Sequence, residues 1–173
     1  MSTPVTDTIA SGAHERQDLL ETLEKHRGFL RYTTQNLSDE QATQRTTVSA
    51  LTLAALIKHV AAVERGWMNF VLEGAPAMAM SAEDYANDWK VQPGETLAVL
   101  LERYAEVAAR TAGIVRELPS LDADHALPPA PWFEPGARWS ARRVLLHIIA
   151  ETAQHAGHAD IIRESLDGQK TMG

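Results

Sequence analysis

One helix in this chain has to bury polar groups, and that requirement constrains the fold more than any other feature. In Val144-Leu-Leu-His147-Ile-Ile-Ala-Glu151-Thr-Ala-Gln-His155-Ala-Gly-His158-Ala-Asp-Ile-Ile162, three histidines and a glutamate recur at spacings of four, four and three. At about 100° per residue they fall within roughly an 80° arc, with Val144, Ile148 and Ile162 in or beside it. The stripe therefore points into the protein. Unpaired, its buried polar groups cost roughly 1–3 kcal/mol each. A bound cation would satisfy several of them at once.

The remainder of the chain has to supply a core around that stripe. With 173 residues, 45% of them hydrophobic, it is expected to form a single domain over 1–173. Sixteen basic against 23 acidic side chains give a net charge of −7, and no basic stripe carries interleaved aromatics, which argues against nucleic acid as a partner. There is no cysteine, so sulfur chemistry would need an external thiol. The N-terminal Met-Ser-Thr-Pro-Val-Thr-Asp lacks the pattern of a signal peptide, and no apolar run reaches membrane-spanning length. The expectation is a cytoplasmic protein with no membrane partner.

Hydrophobic periodicity predicts four long helices. The first runs from about Glu15 to Gln35 on Leu19, Leu20, Leu23, Phe29 and Leu30. Ser38-Asp-Glu-Gln41 reads as a capping box opening a short turn. The second long helix runs from about Thr52 to Leu72 and ends at Gly74 and Pro76, with His59 beside its apolar stripe. Ser81-Ala-Glu-Asp84 opens a short segment, and Pro93-Gly94-Glu95 opens a third long helix that reaches about Glu117. Pro128-Pro129, Pro131-Trp132-Phe133 and Pro135-Gly136 then mark a long loop from Leu121 to Trp139, of a length that often covers a site. Ser140 caps the fourth helix, which carries the stripe to about Leu166 and stops at Asp167-Gly168. No stretch alternates as a strand should. The expected class is all-α, a four-helix bundle with a long loop before the fourth helix.

A cation in a bundle core draws ligands from more than one helix, and His59 is the natural partner for the stripe. Glu151 and His155, one turn apart, can reach a single divalent ion of a kind that imidazole and carboxylate suit, zinc or another first-row metal. Three protein ligands would leave positions open for water or substrate, as catalytic sites do. The plainer alternatives are a hydrogen-bonded core histidine at position 59 and a surface ion pair between Glu151 and His155. Spacing alone leaves His147 and His158 eligible as ligands too, or as supporting groups. Trp67 and Trp139 read as packing, Trp132-Phe133 as the better pocket candidate. Of the paired Arg142 and Arg143, either could meet a substrate anion near the loop. Met78 and Met80 read as gap-filling.

His59-Val-Ala-Ala-Val-Glu64-Arg-Gly-Trp67 and, much later, His147 through Glu164 with Asp167-Gly168 together resemble the DinB-like metalloenzyme superfamily over nearly the whole chain. The similarity is to its actinobacterial branch of mini-circle proteins, mycothiol S-transferases and, more distantly, mycothiol-dependent maleylpyruvate isomerase. It implies a bundle of up-down-down-up connectivity with a divalent metal between the second and fourth helices. The family's fourth-helix His-x-x-x-His falls on Glu151 and His155, its second-helix histidine on His59. Glutamate at the first of these positions is a variant that the isomerase branch shares. His158 and His147 are then left for catalytic or supporting roles.

The resemblance implies a metal-dependent transferase that activates mycothiol for attack on a small electrophile. His59, Glu151 and His155 would hold zinc, or nickel, cobalt, manganese or iron; Trp132 and Arg142 would contact the thiol. A metal-dependent hydrolase of small esters or amides and a non-catalytic metal-binding stress protein are the alternatives. Pairing into homodimers is compatible with either.

Overall fold

The structure is a computed structural model and describes residues 5–79 and 81–171; expectations for the first four residues and for Met80 lie outside these. Most of the described chain is helical. Four long helices, α1 (Val5–Tyr32), α3 (Leu53–Glu73), α5 (Leu97–Glu117) and α6 (Ala141–Asp167), are joined by two short ones, α2 (Asp39–Ala42) and α4 (Ala82–Asp88), and a 3-10 turn at Ala75–Met78. Among the described residues no helix is long and apolar enough to cross a membrane.

Side-chain caps fix the helix starts. Thr52, Thr96 and Ser140, all extended, accept from the backbone N–H three residues on. Ser38 with Gln41 and Ser81 with Asp84 form full capping boxes. The third long helix thus begins after Thr96 rather than at Pro93. At the other end of α6, Gly168 takes φ 81°, a left-handed conformation that glycine reaches without a Cβ penalty, and its N–H donates to Glu164 O.

The helices run in directions that their cross-links define. Arg142 pairs with Glu15, while Arg163 Nη1 donates to Thr33 O and Gln35 O at 2.8 and 2.9 Å, so α1 and α6 run the same way. Lys58 meets Glu95 at 2.7 Å and Arg110 meets Asn69 at 2.8 Å, so α3 and α5 also run together. Arg16 Nη2 donates to Leu118 O at 2.9 Å and Leu97 N–H to Asp39 Oδ1 at 2.7 Å, which sets α5 against α1. In the packing α6 touches α1 and α3, and α3 touches α5.

The interior is divided. Leu56, Ile57, Val60, Leu100, Ala156, Ala159 and Ile162 pack in one apolar cluster; Leu23, Phe70, Val115, Val144, Leu145 and Ile148 pack in another. Between them lie buried polar groups. Glu64 accepts from Arg27 through both oxygens and from Thr111 Oγ1 at 2.5 Å, all three residues being almost fully enclosed. The Leu121–Trp139 segment departs from its expected form as a plain loop. Asp124–Ala126 (β1) and Arg138–Ser140 (β2) form an antiparallel ladder, Asp124 opposite Ser140, which carries Trp139 onto Trp67 at 4.9 Å between ring centroids. Three-residue strands are too short to alternate visibly in a sequence.

Candidate metal centre

His59 on α3 and Glu151 and His155 on α6 converge between the two helices, each with one donor atom within 4.8 Å of the others. The opposed directions of α3 and α6 bring residue 59 beside the middle of α6. His155 Nε2 lies 3.5 Å from Glu151 Oε2, and the His59 and His155 rings meet edge to face at 5.0 Å. Both histidines are buried, whereas the Glu151 side chain is about one third exposed, so the cluster has a solvent-facing side.

The electrostatics put these groups in forms able to ligate. Burial, then the neighbouring His155, pushes the His59 pKa down to about 4, leaving a neutral imidazole with a free lone pair. The His155 hydrogen bond holds the Glu151 carboxyl below its usual range, so it stays ionised. His59 Nδ1 is buried with no hydrogen-bond partner among the described residues. A neutral imidazole with an orphaned nitrogen, a second imidazole and an ionised carboxylate form a donor set that fits a divalent cation.

The other two members of the stripe flank this trio. His158 Nδ1 faces His155 Nδ1 at 3.3 Å. His147 Nε2 is 3.7 Å from Glu151 Oε1, and its ring stands edge-on to Trp67 and Trp139 at 4.9 and 5.2 Å. Burial lowers the His147 pKa. A cavity of about 450 Å³ opens beside His59 between α3, the 3-10 turn and α4, with Val63, Trp67 and Met78 as apolar wall and Lys58, Asn69, Asp84 and Asp88 as polar wall.

The two residues expected to meet the thiol, Trp132 and Arg142, lie outside the lining of that cavity. Trp132 is 77% exposed and takes no part in that cavity; its neighbour Phe133 packs inward against Trp67 and Trp139 instead. Trp132 lies in a turn of the connection between β1 and β2. Arg142 is engaged by Glu15 and Asp122, so its guanidinium is already neutralised on the α1 side. The tryptophan that does reach the centre is Trp89, just past α4, stacked on His59 at 3.6 Å between centroids. Its position in a short irregular segment gives no periodic signal; its only sequence cue is being one of four tryptophans.

A family model described as mycothiol-S-transferase matches residues 18–168, which include every helix that forms the centre. The chain belongs to the mycothiol S-transferase family. This family lies within the DinB-like superfamily, whose members are generally metal-dependent. No curated protein matches the chain.

Proposed function

We propose that this member of the mycothiol S-transferase family is a divalent-metal-dependent enzyme that activates mycothiol for attack, through its sulfur, on a small electrophile, as a cytoplasmic, single-domain DinB-like bundle of up-down-down-up helices. The observation that carries the reading is the convergence of His59, Glu151 and His155 from two helices within 4.8 Å, next to a cavity of substrate size. His59, Glu151 and His155 would hold the ion, zinc being the cation whose preferences best suit this donor set. A cation there supplies Lewis acidity that lowers the pKa of a thiol.

The chain's own groups do the rest. Glu151 contributes the negative charge, and the flanking contact from His158 Nδ1 fixes the orientation of the His155 ring. His147, kept neutral by burial, presents Nε2 beside Glu151 and takes the S–H proton. The sulfur electron pair then forms the carbon–sulfur bond while the electrophile's leaving group departs with its own pair. Trp89 covers His59 and keeps water from that side of the centre. The electrophile takes the cavity beside His59, with its apolar part against Trp67 and Met78.

The test is to load the protein with zinc and incubate it with mycothiol and a bromobimane. Thioether formation should exceed the protein-free rate and fall at least tenfold in His59→Ala and His155→Ala. Formation at the protein-free rate under every metal tried would refute the reading.

A further inference from the structure

The outer strip of α6 is left exposed by the described chain. The helix rests on α1, α3 and β2 through Val144, Leu145, Ile148, Thr152, Ala156, Ala159 and Ile162. Arg143, Leu146, Ala150, Gln154, Gly157, Ile161 and Glu164 are all exposed, and at about 100° per residue they occupy an arc of roughly 80°. Leu146 is 46% and Ile161 61% exposed, both on the same face of the helix.

The order of these residues is mirrored about the Ala153–Gln154 peptide. A charge, an aliphatic residue and a small residue on one side are followed by a small residue, an aliphatic one and the opposite charge on the other. Arg143 and Glu164 are equidistant from that peptide, as are Leu146 and Ile161, and Ala150 and Gly157. We infer that α6 pairs antiparallel with α6 of a second copy across a twofold axis at Ala153–Gln154. Arg143 of each copy then meets Glu164 of the other, Leu146 meets Ile161, and Ala150 meets Gly157. Such an isologous contact needs a surface complementary to itself, and this strip is one in both charge and shape.

Two further details agree. Gly157 is poor for helix stability, and a Cβ there would meet nothing within 4 Å in its own chain; in the pair it permits close approach of the two backbones. Among the described residues the Glu164 side chain is paired with the half-exposed Lys170, and Arg143 lies over Trp139 at 4.6 Å, both Glu164 and Arg143 being exposed and so accessible to a partner. One helix against its copy buries less than the roughly 800 Å² per partner of a standard interface, so the dimer should dissociate in the micromolar range. The inference is independent of what the metal centre does.

Sedimentation of the full chain from about 1 to 200 µM tests it. The expected result is a reversible monomer–dimer equilibrium, with the dissociation constant raised at least tenfold by Gly157→Arg and by Ile161→Glu while the helical circular dichroism is unchanged. Arg143→Glu and Glu164→Arg should each weaken the dimer, and the double reversal should restore it. Because the chain has no cysteine, Gln154→Cys should give a disulfide-linked dimer on mild oxidation where Glu102→Cys, exposed on α5, does not. A monomer at 200 µM, a dimer indifferent to Gly157→Arg, or equal cross-linking at both cysteines would each overturn the inference.

Discussion

His155 is held from both sides of its ring, by Glu151 near Nε2 and by His158 near Nδ1. Two Nδ1 atoms 3.3 Å apart share one proton; with a cation bound, His155 would carry it, and its Nε2 would offer the cation a lone pair in place of the N–H it gives Glu151 otherwise. His158→Gln keeps an acceptor at that point and should hold zinc affinity within a few-fold of the parent, whereas His158→Leu should lose about 10–100-fold. Titration calorimetry with zinc distinguishes them, and equal affinity in the leucine variant would show that His158 does not orient the ligand. The spacing of Glu151, His155 and His158 makes this half of the centre readable from sequence, because a helix converts spacing into direction. His59 is readable only as an isolated polar residue beside an apolar stripe, and what brings it in is the packing of α3 on α6. Trp89 and Trp132 mark the limit of that reading. Both sit in irregular segments, where composition says nothing about which ring turns inward, and the one that looked better placed is the one in solvent.

Helix ends follow the same logic at longer range. Ser38, Thr52 and Ser140 can be found in the sequence because a capping side chain acts within three residues. The β1–β2 ladder cannot, because its pairing joins residues 12 to 16 apart and rests on six residues. Nor does a helical pattern reveal which polar residues meet in the interior. Arg27, Glu64 and Thr111 come from α1, α3 and α5 and join into one buried network. Glu64→Leu would leave the buried Arg27 guanidinium with only the longer contact to the half-exposed Glu24 among the described residues and should cost about 3–5 kcal/mol in urea denaturation. Adding Arg27→Met should recover most of the loss; a double variant as unstable as the single would mean the network does more than neutralise itself. Tyr104 is enclosed in the same region, with its hydroxyl beside Thr152. Burial, and then the Glu64 carboxylate, raises its pKa well above the usual 10. Below pH 10 the folded and unfolded chains both keep the proton, and the tyrosine adds no pH dependence. Above pH 10 the unfolded chain releases the proton while the folded one retains it, so stability should fall by up to about 1.4 kcal/mol per pH unit. Tyr104→Phe should remove that part of the alkaline slope, as measured by chemical denaturation at pH 8, 10 and 11.

Because the donor set bridges α3 and α6, and α6 also holds α1 while α3 holds α5, the centre lies where the two halves of the helix packing meet. Separating α3 from α6 would disperse the ligands, so a cation that binds only the converged set stabilises the entire arrangement by mass action. Zinc at about 100 times its dissociation constant should add about 2.7 kcal/mol. For a chain of this length that corresponds to a rise in melting temperature of about 5–10 °C. The same excess of zinc should leave His155→Ala nearly unmoved, although the metal-free melting temperatures of parent and variant should differ by less than the zinc effect, since His155 is at the edge of the apolar clusters rather than within either. The comparison separates two meanings of the buried histidines. If they serve only as core hydrogen-bonding groups, His155→Ala will lower the metal-free melting temperature and zinc will shift neither protein. If they are ligands, the zinc shift will be large in the parent and absent in the variant, and His59→Ala, removing a donor from the opposite helix, should abolish it equally.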